Sequence, residues 1–401
     1  MTREEQARGY LEHTRISPAA ARITVAVFLL MLFAPPAFQV CREYADKGRV
    51  AEAGVLKLLP DRSRLKQVRG LRDAGRLFAS PEEIKAFETR VEEGQYLSRA
   101  LRPAVQYVLT VGLDTGNEKA LTGRKGELFY SEELRALMTG DSARGEAAAG
   151  EILRLRRYLA SRGVELIVMP VPNKLYVYPE RFAGAWGKGT EDPSLEGLLR
   201  ALEKEGCRVC DLSELFRQRR DRDLYLKCDT HWTPYGLSLA AESLARITGT
   251  FGRAPETREL IASNRGDIFD MLQLPDMQKK YAEETVTLLS PVGEPADSRI
   301  LLLGDSYSNI YSDGSLKWGR DAGLAERLRC LTGSGVDKLA LNAGGASASR
   351  RELYKNLIYS AKNHRPDLLE GKTWVIYEFA QREIALGDWE SLDWNKIPKG
   401  E

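Results

Sequence analysis

The chain has 401 residues, of which 43% are hydrophobic and 29% are charged, and its formal net charge is +2. This composition is sufficient for a sizeable core, and it excludes collagen-like, disulfide-scaffold and fully disordered proteins. The near balance of charge argues against nucleic acid as the main partner, because nucleic-acid-binding domains are usually basic; a local basic groove for an acidic polymer stays open.

The first predicted element is a membrane helix. Residues 23–40 form an uncharged stretch just long enough to span a bilayer, and Pro35 and Pro36 are expected to break the helix near its far end. We predict a transmembrane signal anchor here, preceded by a cytoplasmic leader at residues 1–22. A cleaved signal peptide and a buried helix of a soluble protein are the alternatives. The polar leader is long for a signal peptide, and no small-x-small cleavage site follows the stretch.

Residues 41–114 are predicted to form a helical region next to the membrane. Residues 41–79 are charged and only weakly periodic. The sequence Ser80-Pro81-Glu82-Glu83 is typical of a helix start, with a serine cap, proline in the first turn and a glutamate that completes a capping box. This helix is expected to run to about residue 100. The glycine-containing segment 123–130 then predicts a turn that leads into a short strand.

From residue 145 onwards, predicted helices alternate with short apolar strands. This pattern is typical of a mostly parallel α/β sheet covered by helices on both faces, in which ligands lie beyond the carboxyl ends of the strands. We assign residues 115–385 to this domain and 386–401 to a C-terminal tail. The helices are predicted at 145–160, 194–205, 234–247 and 350–362, and the strands at 164–169, 207–210, 299–303, 338–341 and 373–379.

The five cysteines are too few and too scattered for a disulfide framework. Cys207 and Cys210 form a C-x-x-C motif within one of the predicted strands. A zinc site needs four soft ligands at matching spacing, and the chain has no second cysteine pair and only three histidines. We therefore predict no metal site, while a disulfide between Cys207 and Cys210 stays open.

The predicted strand at 299–303 ends in Gly304-Asp305-Ser306. The glycine allows a sharp turn, so Ser306 is expected at the carboxyl end of a buried strand with its hydroxyl exposed. Backbone N–H groups at such a turn can hold an oxyanion. The position therefore predicts that Ser306 is a nucleophile.

The segment Asp229-Thr230-His231-Trp232 supplies a candidate base. In an extended segment, residues two apart lie on the same side, so Asp229 can orient the imidazole of His231 and stabilise its protonated form. A structural histidine near the following helix start is the alternative. His13 precedes the membrane segment and His364 lies in a turn-like site, so His231 is the candidate partner of the serine.

The Gly-Asp-Ser and Asp-x-His-Trp blocks together resemble the SGNH hydrolase-like polysaccharide O-acetyltransferases of the alginate AlgJ/AlgX type. Three other segments agree with this resemblance, which covers roughly residues 115–385. Segment 123–130 is similar to the family's glycine turn, although Glu127 stands where tryptophan is usual. Segments 168–180 and 376–382 resemble its PxPxK…YPE block and its terminal strand.

The resemblance implies a catalytic triad of Ser306 as nucleophile, His231 as general base and Asp229 as orienting carboxylate. The chain order Asp–His–Ser departs from ordinary SGNH hydrolases and matches the permuted order of this family. The N–H of Ser306 is one expected oxyanion donor. Asn342, which follows the strand at 338–341, is a second candidate, and an ordinary turn is its alternative.

Several residues are candidates for binding substrate. Lys174 and Arg382 rank first for an anionic sugar chain, because each closes a strand at the expected active edge; Arg350 and Arg351 rank lower. Trp232 could stack on a sugar ring, and Tyr307, like Tyr311, lies near the nucleophile in sequence. Packing in the core is the alternative for all three aromatic residues.

The predicted function is therefore O-acetyl transfer through a serine acyl-enzyme onto a hydroxyl of an exported polysaccharide. No bound cofactor is expected, because the acetyl group comes from an external donor. The resemblance implies a multi-pass membrane O-acyltransferase as partner and a single-pass protein of the inner membrane with a periplasmic catalytic domain. About twenty residues follow the last predicted strand, so the carbohydrate-binding domain that AlgX adds is not expected. A polysaccharide acetyl esterase and a non-catalytic assembly subunit are the alternatives.

Overall fold

The computed structural model describes residues 17–48, 83–85, 88, 95–182, 191–276, 278–295 and 297–398. The chain divides into two compact units between Val105 and Gln106. Most of the predicted membrane-proximal segment and the start of its capping box lie outside the described residues, so those assignments stay predictions. The division of the chain into the regions proposed from the sequence also stays a prediction.

The first unit contains one long apolar helix, α1 (Pro18–Lys47), which begins at a Ser17 cap. Its stretch Pro18–Asp46 is long and apolar enough to cross a membrane, with a mean hydropathy of 2.0 and no burial. The predicted break at Pro35 and Pro36 is wrong, because the helix continues through both prolines. A proline already has a helical φ, and the cost is the loss of its own N–H bond. The helix ends instead at Gly48, which has a φ of 65°.

A five-stranded parallel sheet forms the centre of the second unit, and its strands lie in the order Arg208–Val209, Glu165–Val171, Trp374–Ala380, Ser298–Gly304 and Gly335–Ala340, which are β4, β3, β9, β7 and β8. The three middle strands are buried along almost their whole length, which is why their sequences are continuously apolar rather than alternating. The predicted parallel α/β sheet is thus confirmed. Its strands are β3 (Glu165–Val171), β4 (Arg208–Val209), β7 (Ser298–Gly304), β8 (Gly335–Ala340) and β9 (Trp374–Ala380).

Helices connect these strands and cover the sheet. Two of them begin at an aspartate cap: Asp141 caps the helix Ser142–Ser161, and Asp192 caps the helix Pro193–Lys204, which has Pro193 in its first turn. In the described residues after α1, the helices are α2 (Tyr96–Tyr107), which contains the boundary between the two units, and, in the second unit, α3 (Ser131–Thr139), α4 (Ser142–Ser161), α5 (Lys174–Val177), α6 (Pro179–Phe182), α7 (Pro193–Lys204), α8 (Ser213–Gln218), α9 (Pro234–Thr248), α10 (Asp267–Leu272), α11 (Ser306–Asn309), α12 (Leu324–Thr332), α13 (Gly345–Lys362) and α14 (Arg382–Leu386).

Two antiparallel hairpins lie outside the central sheet. The turn predicted at 123–130 joins β1 (Ala120–Thr122) to β2 (Leu128–Tyr130). The second hairpin, β5 (Thr257–Asn264) with β6 (Glu284–Pro291), was not predicted. Its first strand is mostly exposed and mixes charged with apolar residues, so it lacks the apolar signature of the buried strands.

Cys207 and Cys210 flank the short strand β4, and both are free thiols. Burial raises the pKa of Cys207 to about 11 and that of Cys210 to about 12. At neutral pH both side chains are therefore protonated, and they behave as small apolar residues of the core.

Candidate active site

The segment 304–308, here called the nucleophile turn, connects β7 to the short helix α11. Asp305 caps this helix: its Oδ1 accepts from the Tyr307 N–H at 2.8 Å, and its Oδ2 accepts from the Ala380 N–H of the neighbouring strand at 3.1 Å. Asp305 and Tyr307 are buried, whereas Ser306 between them is partly exposed. The turn therefore presents the Ser306 side chain at the carboxyl end of the sheet.

A buried carboxyl group supports the nucleophile turn from below. Oε2 of Glu378 on β9 accepts from the Asp305 N–H at 3.1 Å and from the Ser308 hydroxyl at 2.5 Å. Burial, followed by the charge of Asp305, raises the pKa of Glu378 well above its ordinary value, which favours the neutral form of this carboxyl. A Cβ at Gly304 would lie 2.7 Å from Glu378 Oε2, which explains the glycine at this position.

His231 and Asp229 lie in the segment 228–232, here called the histidine loop. Nδ1 of His231 lies 2.6 Å from Oδ1 of Asp229, and the same oxygen accepts from the His231 backbone N–H at 2.9 Å. The predicted extended conformation is wrong, because the segment turns back on the preceding chain: the Leu226 N–H donates to the His231 carbonyl at 3.1 Å, and the Thr233 N–H donates to the Leu224 carbonyl at 2.8 Å. The aspartate meets the imidazole because its side chain folds back over this turn.

The Asp229 carboxylate has partners from two other parts of the chain. Its Oδ2 accepts from Trp318 Nε1 at 2.8 Å and from the Asp267 N–H at 3.0 Å. Burial alone would raise the pKa of Asp229, but the charge and hydrogen bonds of His231 and the bond from Trp318 lower it to about 2. Burial likewise opposes the charged form of His231, and the Asp229 charge reverses this effect, so the pKa of His231 is raised.

The nucleophile turn and the histidine loop meet at one cavity of about 420 Å³. Ser306 and His231 both line it, and the ring centroids of His231 and Tyr307 are 4.9 Å apart. Nε2 of His231 is buried and has no hydrogen-bond partner among the residues that the structure describes. The structure thus brings together the three predicted triad residues, with the free imidazole nitrogen on the ring edge opposite Asp229. Their catalytic roles stay a prediction.

Two predicted substrate contacts are wrong. Tyr307 is fully buried, and its hydroxyl donates to the Thr230 carbonyl at 2.7 Å. Trp232 is also fully buried and packs edge-on against Tyr307, with the ring centroids 5.3 Å apart, so it cannot stack on a sugar. Tyr311 donates in the same way to the Trp232 carbonyl at 2.7 Å. These aromatic residues hold the backbone on either side of His231.

The predicted role of Lys174 in substrate binding is also wrong. Its side chain is 1% exposed, and its ammonium group donates to the carbonyls of Leu128, Leu226 and Lys227 at 2.6 to 2.8 Å. All three N–H bonds are thereby used. Lys174 therefore joins β2 to the chain that leads into the histidine loop.

Arg382 differs from the other predicted cations, because it lines the cavity. Its guanidinium lies over the Tyr130 ring, and its Nη1 is buried without a hydrogen-bond partner among the described residues. Arg350 is instead buried and donates to the Glu390 carbonyl, and Arg351 forms an ion pair with the Glu390 side chain. Neither of them lines the cavity.

Asn342 lies on the rim of the cavity, but its side-chain amide is turned towards Asp313 and Ser315 at 3.3 Å each. Its carbonyl oxygen accepts from Asn309 at 2.9 Å. These bonds leave its role as an oxyanion donor a prediction. Ser306 is the first residue of α11, where a backbone N–H has no partner within the helix, and its role as the first expected donor stays a prediction.

Sequence reasoning missed Trp318 and Asp267. Asp267 lines the cavity and binds Thr230, and together with Asp229 and His231 it places ligand atoms within 4.8 Å of one another. These atoms already form hydrogen bonds with one another and with Trp318 and Thr230, so the cluster has the partners of a proton-handling site rather than open metal positions. Asp267 follows β5, a strand that the sequence did not predict, so neither Asp267 nor Trp318 was marked by a local sequence signal.

The chain was compared with known proteins. A family model described as the SGNH hydrolase-like domain of the acetyltransferase AlgX matches residues 120–369. A probable alginate O-acetylase AlgJ of Azotobacter vinelandii is 25% identical over 56% of this chain and 63% of its own length. The corresponding protein of Pseudomonas fluorescens is 25% identical over 76% and 78%. The solved O-acetyltransferase domain of Pseudomonas putida AlgJ has a TM-score of 0.52 at 22% identity, over 69% of this chain and 96% of that domain, which supports the fold.

Proposed function

Because the chain belongs to the family of SGNH hydrolase-like acetyltransferases represented by AlgX, we propose that it transfers an acetyl group through Ser306 to a hydroxyl of an exported polysaccharide. The observation that carries this proposal is the cavity that Ser306 lines together with the Asp229-bound His231, whose Nε2 has no hydrogen-bond partner among the described residues. A serine is a weak nucleophile, and an adjacent oriented base is what activates it. The names of the AlgJ relatives favour alginate as the acceptor polymer.

In the first half of the reaction, Oγ of Ser306 attacks the acetyl carbonyl of the donor while Nε2 of His231 takes the serine proton. The Ser306 N–H stabilises the negative charge on the carbonyl oxygen. The bond between the acetyl carbon and the donor then breaks, and His231 gives its proton to the leaving group. Asp229 keeps the imidazole in the correct tautomer and stabilises its charged form throughout.

In the second half, a sugar hydroxyl attacks the acyl-enzyme and loses its proton to His231. The bond between the acetyl carbon and Ser306 breaks, and the serine recovers the proton from His231. Arg382 is the cation of the cavity available to an acceptor that carries a carboxylate, because its Nη1 has no partner among the described residues. A charge-assisted hydrogen bond at this position would hold a uronate ring beside the nucleophile.

Helix α1 anchors the protein in the inner membrane in this proposal, and the catalytic domain lies outside the cytoplasm, where the polymer is exported. No cofactor is needed, since an external donor supplies the acetyl group. A multi-pass membrane O-acyltransferase is the proposed source of that donor. A reporter fused after residue 401 should be active outside the cytoplasm; activity only inside it would contradict this topology.

The proposal is tested with the purified full-length protein, a chromogenic acetyl ester and an oligosaccharide acceptor. Transfer predicts ester turnover that rises with the acceptor and an acetylated oligosaccharide as product. Release of free acetate that the acceptor does not change would identify an acetyl esterase. Absence of turnover and of an acyl group on Ser306 in the wild type would instead support a non-catalytic assembly subunit.

A further inference from the structure

A second carboxylate stands beside the imidazole of His231. Oδ2 of Asp267, the first residue of α10, lies 3.7 Å from Nδ1 of His231, the same nitrogen that binds Asp229. The Asp267 side chain is about one third exposed and lines the cavity. A catalytic histidine needs one orienting carboxylate, so a second one requires an explanation.

Asp267 is bound to the histidine loop by three hydrogen bonds. Its Oδ1 accepts from the Thr230 N–H at 2.8 Å, and its Oδ2 accepts from the Thr230 hydroxyl at 2.6 Å. Its own N–H donates to Oδ2 of Asp229 at 3.0 Å. These bonds fix Thr230, which lies between Asp229 and His231, and the Asp229 carboxylate itself, so Asp267 determines how the loop presents the imidazole.

The backbone before Asp267 is built for this close approach. Gly266 has a φ of 117°, a conformation that favours glycine, and a Cβ there would lie 2.3 Å from the Cys228 carbonyl oxygen. The Phe269 N–H donates to the same carbonyl at 3.1 Å. The start of α10 is therefore pressed against the histidine loop, and the distance between the two carboxylates is set by the fold.

We propose that Asp267 is a positioning residue of the acyl-transfer reaction, which fixes the histidine loop through Thr230 and supplies a second negative charge to the imidazolium that forms when His231 takes the Ser306 proton. This inference rests on the proposed function. At that step the proton moves from Ser306 Oγ to His231 Nε2, and both carboxylates stay deprotonated. The imidazolium then has two negative charges near its Nδ1 rather than one, which makes His231 a stronger base.

The surrounding titratable groups define the expected pH behaviour. His231 is faced by Asp229 in its own loop, Asp267 on α10, and Asp305 and Tyr307 at the nucleophile turn. Asp267 is also near Tyr130 of β2, and the guanidinium of Arg382 lies over the Tyr130 ring. Burial, followed by the charge of Asp229, raises the pKa of Asp267 to about 6. As the pH falls through this value, Asp267 gains a proton and its support for the imidazolium is lost.

The test is Asp267→Asn in the full-length protein, with histidine labelled at Cε1 and titrated by NMR. The three histidines give separate signals, and His231→Ala identifies the one required. Loss of a charge this close should lower the pKa of His231 by about one unit. The acid limb of kcat/KM for the chromogenic ester should move to lower pH, and the plateau should fall by a few fold, at most about tenfold, because the base is weaker by about one pKa unit.

Asp270→Asn is the matched control, because Asp270 lies on the same helix and pairs with the exposed Lys317. It should change neither the His231 titration nor the pH profile. Asp267→Glu retains the charge and should keep the His231 titration near that of the wild type. An unchanged His231 titration in folded Asp267→Asn would overturn the proposal. The NMR measurement needs no turnover, so failure of the acetyltransferase reaction itself is recognised separately by an inactive wild type.

Discussion

The nucleophile turn and the histidine loop reach the same cavity by different structural means. The nucleophile turn is supported by its own strand, by the Asp305 cap and by Glu378 on the adjacent strand β9. The histidine loop is not part of the sheet, and it is held by side chains from distant parts of the chain: Lys174, Asp267, Tyr307, Tyr311 and Trp318. Secondary structure thus places the nucleophile, whereas tertiary contacts place the base.

The largest effect is expected from Ser306→Ala in the nucleophile turn. The variant should lose turnover on the order of 10⁵-fold or more, because the remaining groups only bind and polarise the ester. Its thermal unfolding should match that of the wild type, since a partly exposed hydroxyl contributes little stability. Mass spectrometry of the trapped wild type should place the acetyl group on Ser306. Turnover that survives in the variant would remove Ser306 as the nucleophile.

Asp229→Asn in the histidine loop should reduce kcat on the order of a thousandfold, because the amide favours the wrong imidazole tautomer. The pKa of Asp229 is about 2, below its ordinary value of 3.8, so its charged form stabilises the fold above pH 4, and this contribution is lost as the pH falls towards 2. The variant should therefore lose less stability than the wild type between pH 4 and pH 2. Acid unfolding curves and ester kinetics measure both effects.

Lys174→Met tests whether a buried cation supports the histidine loop. Loss of the ammonium removes its hydrogen bonds to three carbonyls, of which the Lys227 carbonyl keeps the Leu128 N–H, so the free energy of unfolding should fall by about 3 kcal/mol. Lys355→Met is the matched control, because Lys355 is exposed and its pair with Glu352 contributes little. Equal stability of the two variants would show that Lys174 does not support the loop.

Arg382→Ala should weaken catalysis without unfolding the protein. A charge-assisted bond to an anionic group of the acceptor predicts a loss of roughly 10- to 100-fold in kcat/KM for the oligosaccharide. Hydrolysis of a small neutral ester should change much less. Arg351→Ala is the control, since Arg351 pairs with Glu390 and does not line the cavity. An equal loss in transfer to the oligosaccharide and in hydrolysis of the small neutral ester would contradict a specific contact to the acceptor's anionic group.

Lys174 and Arg382 show how far the sequence could predict the site. Each follows a buried strand, and the sequence gives both the same expected role. Their side chains differ in their hydrogen bonds. Lys174 donates to three backbone carbonyls, whereas Nη1 of Arg382 donates to no acceptor among the described residues. Those carbonyls come from segments about 46 to 53 residues away in sequence, so no local pattern reports them.

The aromatic residues give the same lesson. The motif Asp-x-His-Trp directed attention to Trp232, which is a core residue, while Trp318 binds Asp229 from 89 positions away. The parallel sheet and Ser306 were predictable because apolar strands and their ends are local features of the sequence. The predicted break of α1 at Pro35 and Pro36 was wrong for a related reason. The rule that proline breaks a helix considers the proline alone, whereas α1 continues as helix in the turns on both sides of the two prolines.

The smallest effect is expected from Tyr311→Phe, which removes one support of the histidine loop and keeps the ring. The Trp232 carbonyl would lose its partner in the core, so the free energy of unfolding should fall by about 1 to 2 kcal/mol. Tyr359→Phe is the control, because this side chain is exposed and the change should be near zero. Turnover in Tyr311→Phe should fall by only a few fold, since Tyr307 still holds the Thr230 carbonyl on the other side of His231. The double variant Tyr307→Phe and Tyr311→Phe then measures whether the two hydroxyls act together. If the loss of unfolding free energy is larger than the sum of the two single losses, the hydroxyls hold one loop conformation. If the losses simply add, the hydroxyls act independently.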